Sequence, residues 1–374
     1  MTVTGVGEER HASWLELFFD LVAVAGIGML AHLLSEDTST GGLAVYVIAY
    51  AAIWMLWACF TLYGNVAGTQ VHVGVILAAM FVLGVMIAAI PEIHGEHARA
   101  FAIAYVVGRF LAGRPWDRTT VAADLPIVHA GAGIVPWVVS FWFEGTTQYV
   151  LWAVGIGLDL LFLVSTNKER LVADITARLA RHPRGDEHPI EVREADVPHL
   201  TERLGLFVLI VVGEGLVQII HAASEAEWDR SLAVAGAGAF ALMVGLWAAA
   251  VRFGYAGVAL LPEQALSPRL SWPAHLLATL ALATIAPLVG ELVARPRDDV
   301  SDHTVALLVT AYAGWAVLSA GILLAVGERR RAAYVGVCLG LAAAVVAVAD
   351  LRSEGVVWVL AAGVLGALAA RPSS

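Results

Sequence analysis

Two carboxylates, Glu16 and Asp20, stand four residues apart in the run Trp14-Leu-Glu-Leu-Phe-Phe-Asp-Leu-Val22, whose other members are all apolar. On a helix that spacing puts both on one face, and in hydrocarbon such a face must look into protein or a hydrated cavity. Like charges at this spacing repel, so the pair is expected to take up a proton or to find a cation such as Arg109. Other ionisable residues also interrupt apolar runs: His72, Arg109, Asp124, His129, Asp159 and His275. All fall within two or three turns of the same end of their runs, whereas Glu214 lies near the middle of its own. An ionisable group in hydrocarbon is costly enough to be a functional candidate by default. A mixed Asp, Glu, His and Arg cluster under an apolar roof is what a proton relay or a polar substrate cavity requires. The plainer reading is structural: acids and Arg109 neutralise one another, lone histidines pack in the core, and Glu16 snorkels to the headgroups. No metal site is expected, because no His-x-x-x-His or Glu-x-x-His pair falls at helical ligand spacing inside a span.

The elements that must position these groups are membrane spans. Of 374 residues, 59% are hydrophobic and 14% charged, with a mean hydropathy of +0.78, outside the usual range of a soluble core. The net charge of −10 is scattered and forms no acidic tail. Cys59 and Cys338 lie in apolar stretches and read as packing residues. Breaks at Gly, Pro and charge clusters divide the chain into about twelve spans: 13–34, 43–62, 71–90, 98–113, 121–143, 148–165, 203–222, 231–251, 273–293, 303–326, 331–349 and 355–370. With both termini cytoplasmic, 17 of the 22 lysines and arginines fall on the inner side, as the positive-inside rule expects. The fold class read from this pattern is all-α, a polytopic transmembrane bundle.

The polar stretch between the sixth and seventh spans suggests a division into 1–166, a cytoplasmic linker 167–201, and 202–374, each flanking part with six spans. In the linker, Leu171, Ile175 and Leu179 recur at helical spacing among basic residues, as on a helix lying on the inner leaflet or in a solvated connection. A faint repeat supports the division: His11 and His199 each precede a span, and His32 and His221 each close one. If the repeat is real, it is a parallel one.

The segment Arg10-His-Ala-Ser-Trp-Leu-Glu-Leu-Phe-Phe-Asp-Leu-Val22 resembles the opening signature of the bacterial low temperature requirement A family. The segment His199-Leu-Thr-Glu-Arg-Leu-Gly-Leu-Phe-Val-Leu-Ile-Val-Val-Gly-Glu214 is similar to that family's second motif, which singles out His199, Glu202 and Arg203. Weaker similarity covers Phe101–Arg109 and the His275 segment. Ala23 and Gly215 depart from the motifs, where phenylalanine and serine are common, and would alter a cavity lining. The resemblance implies an integral membrane protein and no particular chemistry. The spacing Glu16-x-Phe18-x-Asp20-x-Val22 also resembles the first-helix signature of lysosomal and bacterial potassium channels. Here, however, Phe19 replaces their serine and the second half lacks a copy.

Small-residue pairs such as Gly155/Gly157, Gly236/Gly238 and Gly336/Gly340 mark close helix approach, the last as a contact within the chain or with a second copy. Trp14, Tyr46, Tyr63, Trp116, Trp142, Trp228, Trp272 and Trp358 lie near span ends and are expected as interfacial anchors. Neither a cofactor nor nucleic acid is expected. The expected partners are the bilayer and a small solute, ion or lipid. The function expected is inner-membrane transport of a small solute or ion, proton-coupled, with Glu16, Asp20, His72, Arg109, Asp159, Glu214 and His275 along the pathway. The alternatives are an intramembrane enzyme acting on a lipid or isoprenoid and a membrane scaffold or stress sensor.

Overall fold

The computed structural model describes residues 11–68, 71–117, 121–123, 131–165, 191–193, 195–263 and 265–371. Among these are twelve α-helices. The first six are α1 (Trp14–Glu36), α2 (Thr40–Ala67), α3 (Val73–Ala88), α4 (Ala98–Asp117), α5 (Ile134–Val139) and α6 (Thr146–Ser165). The others are α7 (Val197–Glu225), α8 (Arg230–Trp247), α9 (Pro268–Ala294), α10 (Asp302–Ala325), α11 (Arg329–Val348) and α12 (Ser353–Ala367). Nine segments are long and apolar enough to cross a membrane: α1, α2, α6, α7, α8 extended to Arg252, α9, α10, α11, and α12 extended to Ala370. The protein is an all-α, polytopic membrane protein.

Side-chain caps start several of these helices. Ser13, Ser39, Asp196, Asp229 and Ser301 each accept a hydrogen bond from the backbone of the first turn, and Pro198 and Pro268 stand where a missing N–H costs nothing. The packing order follows burial. The apolar windows of α2 and α9 are 78% and 72% buried, against 33% for α6, α7, α10 and α11, so α2 and α9 form the centre. Trp54 and Trp57 of α2 meet Trp272 of α9 edge to face, at 5.9 and 6.2 Å. Beside this pair α1 and α7 run parallel, for Glu16 meets Arg203 while Gly28, farther along α1, meets the Glu214 carboxylate farther along α7. Both helices end in the same way, with His32 on Glu36 (3.1 Å) and His221 on Glu225 (3.8 Å). Ser35 and Ser224 each donate to the carbonyl of that histidine at 2.7 Å.

One expected span differs. The segment 121–143 is not one continuous span. Val121–Ala123 forms a strand, β1, paired in parallel with β2 (Glu191–Arg193), and the next helix among the described residues is six-residue α5, followed by a 3-10 turn at Ser140–Trp142. Gly131, Gly133 and Pro136 weaken helix there. Asp124, His129 and most of the linker lie outside the described residues.

The connection between α8 and α9, which no sequence expectation covered, is buried. After α8 the chain makes a π turn, Ala248–Arg252, then folds back as Phe253–Pro262, with Tyr255 to Leu261 enclosed. Irregular backbone at this depth is tolerated only where protein surrounds it. Here Leu260 N–H donates to the Ala249 carbonyl (2.9 Å), Ala259 N–H to Ser319 Oγ (3.1 Å), and Trp315 Nε1 to the Gly257 carbonyl (2.8 Å). Ala256 and Leu260 have φ of 52° and 55°, a conformation that costs about 1–3 kcal/mol and persists only when its surroundings enforce it.

The anchor reading holds for Trp14, Trp142, Trp228 and Trp358, which are exposed, but Tyr46, Tyr63 and Trp272 are buried in the bundle. Sequence position near a span end does not distinguish a headgroup anchor from a packed aromatic. Gly336 faces Ala320 within the chain, and Gly340 faces open space.

Candidate functional site

Two ionic clusters flank α2 on opposite faces. On the first face α2 presents Trp57, Thr61 and Asn65, at i, i+4 and i+8. From α1 come Glu16 and Asp20, and from α7 His199 and Arg203, again four apart. Ser13 and Glu16 close a capping box. Glu16 Oε2 accepts from both the N–H and the hydroxyl of Ser13 at 2.8 Å, which turns Oε1 towards α7. Oε1 then lies 3.4 Å from both His199 Nε2 and Arg203 Nη1. Arg203 Nη2 reaches Asp20 Oδ1 at 2.6 Å, and Trp57 Nε1 donates to the same oxygen at 2.8 Å. Thr61 Oγ1 is 3.5 Å from Arg203 Nη2. Asn65 holds the far end: its amide donates to the Asp196 carbonyl (2.9 Å), its oxygen accepts from Asp196 N–H (2.8 Å), and its nitrogen sits 3.1 Å from His199 Nδ1.

All four ionisable members of the first cluster are buried, Asp20, His199 and Arg203 at 1% exposure and Glu16 at 5%. Asp20 Oδ2 and Arg203 Nε are buried with no hydrogen-bond partner among the described residues. Leaving such an atom unpaired costs about 1–3 kcal/mol. The arrangement can therefore hold a proton, or a small polar group, on Asp20 opposite a fixed cation.

The second cluster lies on the opposite face of α2. Arg109 of α4 makes an ion pair with Asp159 of α6 (Nη2 to Oδ2, 3.1 Å), and its Nη1 reaches Cys59 Sγ of α2 at 2.7 Å. Gly133 abuts Asp159 so closely that a side chain there would strike the carboxylate. Beneath it, Tyr105, Trp137 and Trp152 stack, Trp137 on Trp152 at 5.0 Å and 3°. Asp20 thus takes Arg203 as its cation, and the expected partner Arg109 is committed elsewhere. On α2 the two sites are half a turn apart, a relation that distance along the chain does not reveal.

The remaining expected residues are dispersed. His275 is boxed by Trp54, Trp57 and Phe207. Its Nδ1 accepts from Trp54 Nε1 (2.9 Å), so Nε2 carries the hydrogen facing the Leu204 carbonyl (3.2 Å), and the ring stacks on Trp57 (5.5 Å, 18°). It is a neutral packing imidazole that supports the tryptophan holding Asp20. His72 is an exposed residue at the start of α3 and touches neither cluster; its backbone N–H donates to Tyr63 Oη at 3.1 Å and its carbonyl accepts from the Val75 N–H at 2.9 Å. Glu214 is half-buried, bonded to Gln218 (2.8 Å) and packed on Gly28, well away from Asp20 along the helix. Glu202 points out of the cluster, to His11 (3.5 Å) and the Ala12 N–H (3.1 Å). Gly215 and Ala23 line no cavity. A side chain at Gly215 would press on Ala286 and Met243, and Ala23 is fully packed.

Sequence reasoning missed Trp57, Thr61 and Asn65. Their signal was present as polar or hydrogen-bonding groups every fourth residue in an otherwise apolar helix. The Ser13-x-x-Glu16 capping box was equally legible.

A protein of Rhizobium meliloti (strain 1021), named Uncharacterized protein RA0937, is 29% identical over 228 residues. The match covers 57% of this chain and 51% of that one, so it spans about half the length of this curated relative. No solved structure matches the chain. A sequence model of the bacterial low temperature requirement A protein matches residues 11–370, which takes in both clusters, and the chain belongs to that family.

Proposed function

We propose that the protein moves a small polar solute or ion, with proton coupling, across the bacterial inner membrane. In this reading the parts of the chain before and after the linker meet at α1, α2, α7 and α9, with the termini cytoplasmic. The observation that carries it is Arg203, which comes from beyond the linker yet bridges Asp20 and Glu16 of the first helix at 2.6 and 3.4 Å. A contact between halves made of charges, and not of interlocked apolar side chains, can be exchanged for contacts to a substrate or proton at modest cost. An apolar contact of equal area has no such alternative partner. The unpartnered Asp20 Oδ2 and Arg203 Nε are the atoms such a ligand would satisfy. Burial of Glu16 and Asp20 keeps lipid from reaching them, which favours transport over the chemistry of a lipid-modifying enzyme.

The test is flux in proteoliposomes, with a pH dye inside and panels of monovalent cations and small organic acids outside. Asp20→Asn should abolish pH-driven movement in protein that stays monodisperse. Full flux in both Asp20→Asn and Arg203→Gln would remove this cluster from the pathway.

A further inference from the structure

At the face where α1 begins, the π turn after α8 opens into a cavity of about 280 Å³ lined by Arg252, Phe253, Gly254, Leu261, Pro262, Glu263 and Arg331. Three chain segments meet there. The Arg252 guanidinium lies over the Phe253 ring at 5.2 Å, and Arg371, arriving from the end of α12, lies over the same ring at 5.8 Å. Arg331, in the first turn of α11, reaches the Leu260 carbonyl (3.4 Å) and Glu328 (3.6 Å). The carboxylates at the site are Glu263 and Glu328, so cations outnumber anions, and neither Arg252 nor Arg371 makes an ion pair with a described residue. Two guanidiniums on one ring repel each other, and the ring compensates by only about 0.5–1 kcal/mol per cation at an exposed site. An anion placed among them offsets that repulsion.

The walls are built to stay in place. The lining residues Gly254 and Leu261 bracket the enclosed segment 255–260, which Ala249, Ser319 and Trp315 hold in place, and a side chain at Gly254 would strike the Ala249 and Val258 carbonyls. This pocket is near the lower end of small-ligand volumes and takes a tetrahedral oxyanion with a short substituent. Planar guanidiniums match phosphate oxygens in pairs, and basic pockets between membrane helices are where anionic headgroups dock.

We propose that Arg252, Arg331 and Arg371 form a phosphate-group site at this face, separate from the Asp20–Arg203 cluster and independent of the transport reading. The phosphate is supplied either by an anionic lipid headgroup or by a free phosphate ester, and the experiment separates the two sources. Purified protein in a neutral detergent is titrated with phosphatidylglycerol, with phosphatidylcholine and with inorganic phosphate, and binding is followed by native mass spectrometry and by the melting temperature. Phosphatidylglycerol alone raising the melting temperature assigns a lipid headgroup, whereas a rise with inorganic phosphate as well assigns a free phosphate. In either case Arg252→Gln should weaken binding on the order of tenfold, as loss of one charge-assisted contact does, and Arg371→Gln should do so by less. Arg331→Gln also removes the bond to Leu260, so the exposed Arg252 and Arg371 variants carry the test. Equal response to phosphatidylglycerol and phosphatidylcholine with none to phosphate, or undiminished binding in the Arg252→Gln/Arg371→Gln double variant, would overturn the proposal.

Discussion

The two ionic clusters beside α2 use the same chemistry, one buried arginine against one buried aspartate, and differ in what surrounds the pair. Arg109 and Asp159 match one charge with one, both come from helices before the linker, and a glycine and a shelf of aromatics fit around them. Arg203 faces two carboxylates, shares one of them with His199, and comes from beyond the linker. The first pairs one arginine with one aspartate among helices that precede the linker, which suits a staple between α4 and α6. The second joins helices from either side of the linker and gathers two carboxylates, an arginine and a histidine, which suits a group that changes partners. Each keeps a buried carboxylate oxygen with no hydrogen-bond partner among the described residues, Asp159 Oδ1 and Asp20 Oδ2, so the two are distinguished by their composition and by the segments they join.

That comparison can be broken by substitution. The largest loss of stability is expected at the Arg109–Asp159 pair. Asp159→Asn takes away the carboxylate 3.1 Å from a guanidinium that is 2% exposed, and breaking one partner of a buried pair costs about 3–5 kcal/mol. Thermal melting in detergent should show it, and the double change Asp159→Asn with Arg109→Gln should recover part of the loss. If Asp159→Asn melts like the parent protein, the staple reading fails.

Asp20→Asn should unfold less and transport less. The amide oxygen still accepts from Trp57 and Arg203, and Glu16 still balances the guanidinium, so a cost of about 1–3 kcal/mol is expected beside complete loss of pH-driven flux. A melting loss as large as that of Asp159→Asn, with flux per folded molecule unchanged, would make both clusters structural.

His275→Phe keeps the ring stack on Trp57 but strands the Trp54 N–H, for about 1–3 kcal/mol, with flux retained. Flux that disappears from stable His275→Phe protein would move His275 into the pathway. The smallest effect is expected at Glu214→Gln, where the group is half-buried and the contact to Gln218 survives. Melting should shift by less than about 0.5 kcal/mol. A changed pH dependence of flux in this variant would instead extend the proton path along α7 from Arg203 to Glu214.

Hydropathy alone determined that the chain is an all-helical membrane protein, because hydrocarbon leaves the backbone no alternative to internal hydrogen bonds. Helical spacing likewise placed Glu16 beside Asp20, since that pair lies within one helix, whereas His199 was expected to precede its span and the structure puts it on the same helix face as Arg203. The long motifs around them were enough to suggest the family. What the sequence left undecided depends on rotation and contact between helices. Arg203, not Arg109, meets Asp20, because α7 lies parallel to α1 while α4 approaches α2 from behind. His275 became a packing imidazole when two tryptophans closed on it, and His72 stayed outside because α3 begins at the surface. The backbone of 253–262 carried no periodicity to read, so its burial, its left-handed residues and the arginines gathered at its mouth were decided by the tertiary structure. The reason is physical: intrahelical spacing is a property of the covalent chain, whereas the partner of a buried charge is chosen by whichever helix face packing brings within about 4 Å.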